Sequence, residues 1–280
     1  MALIAVVADL HFDNWDRWAV DPLTAGGLDI LISQREPDLL MVAGDLSNDP
    51  VRTWPKALAR LGRLIDPAKI VIVPGNHDYY SFRLDGEHLL REMCSRAGAR
   101  FAQKDEIRLG KARILCCTLW TDFSLTGDVR HAAETARRVM HDYRLIHTGE
   151  PGLPFNQQET RLITPQDILA LHRDHRAWLE AALRAPHFAG DEGRTVIVTH
   201  HGPSPATVAG KIDDLTPAFH SDLNDLILET APAAWFFGHS HRRCQARVGQ
   251  TIIRNISLGY PNEVGDHTTN LRDLIFFEAD

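Results

Sequence analysis

Eight short apolar runs, most of them rich in β-branched residues, punctuate this chain, and five of them run directly into a cluster of polar residues. The runs cover residues 3–8, 39–43, 70–73, 113–119, 195–199, 234–237, 251–256 and 274–278. Segments of helical period separate the early ones, at roughly 25–35, 53–65 and 87–97. Strands alternating with helices predict an α/β sandwich rather than an all-β or all-helical fold. The late runs follow one another through short turns such as Val248-Gly249-Gln250, which predicts antiparallel pairing and therefore mixed sheets.

Between Trp120 and Gly193 no strand pattern stands out. Two helical patterns flank a turn-rich stretch at 149–154. The second should start with Thr164 as N-cap and Pro165 in the first turn, then run through Leu169, Leu171 and Trp178 toward Leu183. The chain therefore reads as one domain over residues 1–280 with a helical, cap-like insert at about 120–193, a length of insertion that commonly forms a lid or pocket wall.

The clusters after the strands are Asp9-Leu10-His11, Gly44-Asp45, Gly75-Asn76-His77-Asp78, His200-His201-Gly202 and Gly238-His239-Ser240-His241. Ligand sites in α/β sheets form beyond the carboxyl ends of strands, so these clusters are expected to converge on one crevice. Asp9 and Asp45 brought together there would repel, and one would take up a proton unless cations lay between them. Neutral imidazoles, carboxylates and an amide oxygen make a donor set of intermediate hardness, suited to Mn, Fe, Zn or Ni. Two Asp, one Asn and four His exceed the needs of one four-coordinate ion, and two ions fit better. Two divalent ions against two carboxylates leave a net positive site that attracts an anion and acidifies bound water, and a phosphate ester matches that charge.

At these residues the chain resembles the calcineurin-like metallophosphoesterases. Asp9-x-His11, Gly44-Asp45, Gly75-Asn76-His77-Asp78, His200 and Gly238-His239-x-His241 stand in the family's order and span positions 9 to 241. The resemblance implies an α/β/β/α sandwich of two mixed sheets with flanking helices. It implies one metal held by Asp9, His11, Asp45 and His241, and another by Asp45, Asn76, His200 and His239, with Asp45 bridging. It further implies a metal-bridging hydroxide as nucleophile and His77 as the residue that stabilises developing charge and protonates the leaving oxygen. No Walker lysine loop, Gly-x-Ser-x-Gly elbow or His-Glu-x-x-His helix offers a rival chemistry.

Protein Ser/Thr phosphatases of this superfamily extend the second block to Gly-Asp-x-x-Asp-Arg-Gly, whereas here it reads Gly44-Asp45-Leu46-Ser47-Asn48-Asp49-Pro50. Asn48 replaces the carboxylate that would pair with the acid histidine, and Asp49 replaces a phosphate-binding arginine. Protein phosphatase activity is disfavoured, and Asn48 would orient His77 only through its amide oxygen. The His200-His201-Gly202-Pro203 stretch leans toward the phosphodiesterase-like branches. The expected activity is hydrolysis of phosphodiesters or small phosphorylated metabolites. A nuclease or nucleotide pyrophosphatase is the alternative, and an inactive metal-binding module the weaker one.

Composition limits the partners. Thirty basic against 37 acidic residues give a net charge of −7, which argues against a protein that coats nucleic acid. From Arg91 to Arg113 seven basic and three acidic residues make a local basic stretch, but only Phe101 interleaves it. The apolar N-terminal run lacks preceding basic residues and ends in Asp9, so it reads as a buried strand rather than a signal peptide. No run approaches the roughly 18 apolar residues of a membrane span. Cys94, Cys116, Cys117 and Cys244 lack Cys-x-x-Cys spacing and read as reduced thiols of a cytoplasmic protein. A phosphorylated small molecule is the expected partner, with nucleic acid not favoured and no membrane; nothing specifies an oligomeric state.

For the substrate wall, Trp120, Tyr143 and Arg144 from the insert are the expected residues, with Asn48, Asp78 and His201 behind the ligands. His172 and His175 read as a solvated helix face. Arg130, Arg137, Arg138 and Arg144 read as a charged face balanced by Asp128, Glu134 and Asp142. Protonating all 15 histidines would move the net charge from −7 to +8. Four metal-held imidazoles must stay neutral, and two divalent ions would bring the total near −3.

Overall fold

The computed structural model describes residues 2–149, 159–264 and 269–279. Its strands are β1 (Leu3–Val7), β2 (Leu39–Ala43), β3 (Ile70–Val73), β4 (Phe82–Arg83), β5 (Arg100–Phe101), β6 (Asp105–Leu109), β7 (Ala112–Cys117), β8 (Ile146–Gly149), β9 (Thr160–Leu162), β10 (Arg194–Thr199), β11 (Ala234–Phe237), β12 (Cys244–Val248), β13 (Thr251–Asn255) and β14 (Phe276–Glu278). The helices are α1 (Phe12–Arg17), α2 (Pro22–Ala25), α3 (Leu28–Arg35), α4 (Pro50–Leu61), α5 (Glu87–Arg96), α6 (Val129–Val139), α7 (Asp142–Leu145), α8 (Pro165–Arg184) and α9 (Asn224–Thr230).

Two mixed sheets form the centre. One has the order β14-β1-β2-β3-β5 and the other β12-β13-β11-β10-β7-β6. Within each, four parallel strands are bounded by antiparallel edges, β14 on β1 in the first, and β12 on β13 and β6 on β7 in the second. Strands β2, β3 and β11 are buried along their whole length, which is why they appear in sequence as continuous apolar runs rather than alternating ones.

The second sheet shows why the molecule is layered. Successive strand side chains point to opposite faces. Ile114, Cys116, Val196, Val198, Ala234 and Phe236 join the core shared with the first sheet. Their neighbours Leu115, Cys117, Ile197, Trp235 and Phe237 join a separate core with Leu179 and Leu183 of α8 and Leu226 and Ile227 of α9. Sheet thus packs on sheet, and helices cover the outer face. The adjacent Cys116 and Cys117 are consequently small apolar residues of two different cores; all four cysteines are free.

Three expectations change. The insert is not purely helical, because β8 pairs in parallel with β4 and antiparallel with β9. Strand β4 has two residues and β9 is exposed throughout, so neither shows an apolar pattern. Beyond Gly149, the turn-rich stretch lies outside the described residues. The late strands are not all antiparallel either: β12 and β13 form the expected hairpin across Gly249, but β13 lies parallel to β11, since β12 occupies the sheet edge.

The third change concerns α8. Its start follows the sequence: Thr164 accepts from the Asp167 N–H while Asp167 accepts from the Thr164 N–H, a reciprocal cap, and Pro165 opens the helix. Its inward face, however, carries His172 and His175 together with Ile168, Leu179 and Leu183. His175 Nδ1 accepts from the Leu119 N–H at 3.1 Å, and His172 Nδ1 lies 3.4 Å from the Trp120 carbonyl. These rings satisfy backbone groups of the loop after β7 instead of facing solvent.

Burial pushes the His175 proton affinity down to about 3. The unfolded chain, with an ordinary histidine near 6.5, therefore binds more protons at every pH between the two values. The stabilisation is complete above about 6.5 and is lost as pH falls toward about 3. Urea titrations at pH 7 and pH 5 should show an acid-induced loss about 2 kcal/mol smaller in His175→Gln than in the wild type. Parallel losses would remove His175 from the acid response.

Candidate metal centre

Five loops at the carboxyl ends of parallel strands bring the polar clusters together: Asp9 and His11 after β1, Asp45 after β2, Asn76 and His77 after β3, His200 after β10, and His239 and His241 after β11. The backbone there is not extended. Asp9, His11, Asp45, His239 and His241 all have positive φ, at 57°, 39°, 57°, 64° and 50°. Such left-handed residues cost on the order of 1–3 kcal/mol each and persist only where packing over-determines them. Asp and His tolerate the conformation better than branched residues. The flanking glycines allow the close approach. A Cβ on Gly44 would lie 2.1 Å from His200 Nδ1, and one on Gly75 would lie 2.2 Å from Asp45 Oδ1.

Donor atoms able to hold a metal converge in two groups that share one carboxylate. Asp9, His11, Asp45 and His241 form the first and Asp45, His200 and His239 the second, each with donor atoms within 4.8 Å of one another. His11 Nε2 and His241 Nε2 stand 3.0 Å apart. His11 Nε2 lies 3.6 Å from Asp45 Oδ2, and His241 Nε2 lies 3.5 Å from Asp9 Oδ1. On the other side His200 Nε2 lies 3.4 Å from Asp45 Oδ1 and 2.9 Å from Asn76 Oδ1. His239 Nε2 is buried without a hydrogen-bond partner.

Outer contacts aim these donors. His200 Nδ1 is 2.9 Å from the Ala43 carbonyl and His241 Nδ1 is 2.7 Å from Glu263 Oε2, which leaves both Nε2 atoms facing inward. Asn76 donates through Nδ2 to Asp142 Oδ1 at 2.8 Å, so its amide oxygen points at the cluster. Tyr80 also donates to Asp142 Oδ1, at 2.5 Å, and its ring stacks on His77 with centroids 4.0 Å apart. His77 Nδ1 meets Asn48 Oδ1 at 2.7 Å, and its Nε2 lies 4.0 Å from Asp45 Oδ2.

Asp78 binds the loops rather than a ligand. Its Oδ2 accepts from the Asp45 and Gly75 N–H groups, and its Oδ1 from the Ser47 N–H and Trp54 Nε1. Asp142 corrects the expectation of a charged surface face: it is buried beneath Asn76. Glu263 and Tyr260, which rings His11 and His241, carry no sequence signal at all.

The electrostatics call for cations. Burial, with Asp9 and Asp78 nearby, pushes the Asp45 carboxyl well above the usual range. Burial also acts to raise Asp9, but His241 outweighs it and holds Asp9 low. Burial would lower His241, yet Asp9 and Glu263 together push it up to about 9. Burial keeps His11, His77, His200 and His239 neutral. A buried carboxylate that favours a proton, facing inward-pointing neutral imidazoles, is a donor set able to hold a divalent metal.

A cavity of about 320 Å³ opens over Asp45, Asn76, His77, His239 and His241. Its insert side is formed by Val139, Met140 and His141, and not by the three residues expected there. Trp120 and Tyr143 are buried, and exposed Arg144 donates to the Arg138 carbonyl. Trp120 instead packs on His201, which packs on His239 with centroids 4.1 Å apart. His201 is thus a buried support whose Nδ1 meets the Thr118 carbonyl at 3.3 Å.

A model of the calcineurin-like phosphoesterase family matches residues 2–243. The chain belongs to that family. This metallophosphoesterase is 26% identical over 283 residues to an uncharacterized protein of Acanthamoeba polyphaga mimivirus, covering 94% of this chain and 93% of the relative. Its fold is similar to that of a phosphopantetheinyl hydrolase from Mycobacterium tuberculosis, with a TM-score of 0.70 and 19% identity over 100% of this chain and 96% of the other. A dimetal phosphatase from Danio rerio shares the fold at a TM-score of 0.55 and 14% identity, over 91% and 86% of the two chains. The family is metal-dependent, and the phosphoesterase carries Asp and His groups of the kind that hold metals. Among the described residues no helix is long and apolar enough to cross a membrane.

Proposed function

We propose that this metallophosphoesterase hydrolyses phosphate esters at a dinuclear centre and acts on phosphodiesters or small phosphorylated metabolites. The observation that carries the reading is the pair of buried donor groups joined at Asp45. Asp9, His11, Asp45 and His241 would hold one ion and Asp45, Asn76, His200 and His239 the other, with Mn, Fe, Zn and Ni all suited to the mixed N/O set. When bound, two such ions supply Lewis acidity toward a phosphoryl oxygen and bring the pKa of water near neutrality.

The chain's own groups do the rest. Asn76 presents its amide oxygen because Asp142 holds its NH₂. His77 faces the cavity through Nε2, held in register by Asn48 and by the Tyr80 ring. That placement suits a proton donor to the leaving oxygen, and neutral Asn48 stabilises the imidazolium less than a carboxylate would. The fold likeness to a phosphopantetheinyl hydrolase along its whole length supports a small-metabolite ester as substrate. The basic stretch at Arg91–Arg113 does not favour a nuclease. Arg96, Arg100, Lys104, Arg108 and Lys111 are each paired with a carboxylate.

Protein reloaded with Mn, Fe, Zn or Ni should bind about two ions per chain and show chelator-sensitive turnover of p-nitrophenyl phosphate or its bis ester. Fewer ions and no turnover on either ester would overturn the reading. His77→Ala should lose more rate on an alkyl ester than on the p-nitrophenyl ester, because only the poor leaving group needs a proton. Equal losses would remove His77 from that role.

A further inference from the structure

The cavity over the ligand cluster adjoins two others, and their charges differ. Through Tyr80 it meets a cavity of about 560 Å³. The cations of that cavity are all committed: Arg17 to Asp13, Arg52 to Asp49, and Lys56 and Arg60 to Asp16. Through Phe219 and Ser240 it meets a second cavity, of about 280 Å³, to which Lys211 and Arg242 contribute.

Among the described residues neither Lys211 nor Arg242 has an ion-pair or hydrogen-bond partner. Asp213 lines the same cavity and keeps its charge, but neutral donors rather than either cation fill its oxygens. Asp213 accepts from Thr216 Oγ1 and from the Thr216 and Leu215 N–H groups, at 2.7, 2.8 and 3.1 Å. Asp214 lies 3.1 Å from His131 Nε2. Ser240, the shared wall, sits in sequence between His239 and His241, and Arg242 follows directly, so the free cations flank the ligand cluster. Together the two cavities enclose about 600 Å³, within the range of pockets that bury a whole small metabolite.

We propose that the Lys211–Arg242 cavity is the subsite for a second anionic group, a phosphate carried on the same small molecule as the scissile phosphate ester. This deepens the hydrolytic reading and rests on it. Two cations with no internal partner next to a cluster built for phosphate favour a bisphosphorylated metabolite over a monophosphate, since only the former gives both charges a counter-ion.

The test is calorimetric titration of the Mn-loaded protein, desalted to remove free metal, with α,ω-alkanediol bisphosphates of increasing length and the matching alkyl monophosphates. One chain length should bind at least about tenfold tighter than its monophosphate, equivalent to about 1.4 kcal/mol. That preference should shrink in high salt and vanish in Lys211→Ala/Arg242→Ala. It should survive in Arg63→Ala/Arg173→Ala, which removes the same charge from exposed positions outside both cavities. No preference at any length, or a preference retained without Lys211 and Arg242, would overturn the proposal. Turnover of p-nitrophenyl phosphate and of its bis ester is measured in parallel. Its absence would sink the hydrolytic reading, and the length-dependent preference would still decide the subsite.

Discussion

Asp45→Asn is expected to reduce metal-dependent phosphoester turnover by more than about 100-fold, the upper end of what loss of an outer-shell partner costs a metal site. The metal-free protein should remain as stable as the wild type. Asp45 is the carboxylate common to both donor groups, so losing its charge weakens both at once. Without metal, however, burial and the neighbouring Asp9 and Asp78 push that carboxyl toward its protonated form, which an asparagine resembles in charge and shape. An asparagine keeps the Oδ1 acceptor for the His77 N–H, made at 2.9 Å in the wild type, and removes the repulsion. Thermal unfolding with and without Mn checks both halves. At a thousandfold excess over Kd each occupied site should stabilise the wild type by about 4 kcal/mol, and the variant should gain far less. An apo variant that melts well below the apo wild type would show that Asp45 holds the fold rather than the metals.

Asp78→Asn should do the opposite, destabilising the protein by about 2–6 kcal/mol whether or not metal is present, at about 1–3 kcal/mol for each of two buried donors left without an acceptor. Both oxygens of Asp78 are filled by donors: two N–H groups on Oδ2, and an N–H and the Trp54 indole on Oδ1. An amide has only one acceptor atom, so its NH₂ would face two N–H groups in a buried site. The loops that carry Asp45 and Asn76 are tied to each other through this carboxylate, which makes its loss a stability effect first and a catalytic one second. Urea unfolding of apo wild type and variant measures it. A change below about 1 kcal/mol, the net value of one ordinary hydrogen bond, would show that the loops close without Asp78.

The contrast between these neighbours also marks how far sequence reasoning reaches. Asp45 and Asp78 both stand in motif blocks, and nothing in their spacing says that one faces a cavity and the other faces four backbone and indole donors. Asn48 is similar. Its substitution for a carboxylate was legible, but only the fold shows its oxygen 2.7 Å from His77 Nδ1. The substrate wall was placed a few residues off, since Met140 and His141 line the cavity and Tyr143 and Arg144 do not. In a short turn between α6 and α7 one residue's difference rotates a side chain from the cavity to the core or to solvent.

By itself the sequence determined the elements whose cause is local. Buried parallel strands require uninterrupted apolar runs, the Thr164-Pro165 cap requires its own side chains, and the five polar blocks must follow strand ends. The tertiary structure alone decided which distant groups complete them. Asp142 reaches Asn76 across 66 positions and Glu263 reaches His241 across 22. His172 and His175, polar by type, turn inward to meet backbone atoms of the loop after β7. The left-handed turns at Asp9, His11 and His239 belong to the same class, because groups distant in sequence hold them: the Asp9 and His11 N–H groups donate to the Gly44 and Asp45 carbonyls, and the His239 N–H donates to the Asp9 carboxylate. Local sequence sets what a residue can offer, and long-range burial sets what it faces, because desolvation penalises a buried polar group that lacks a partner.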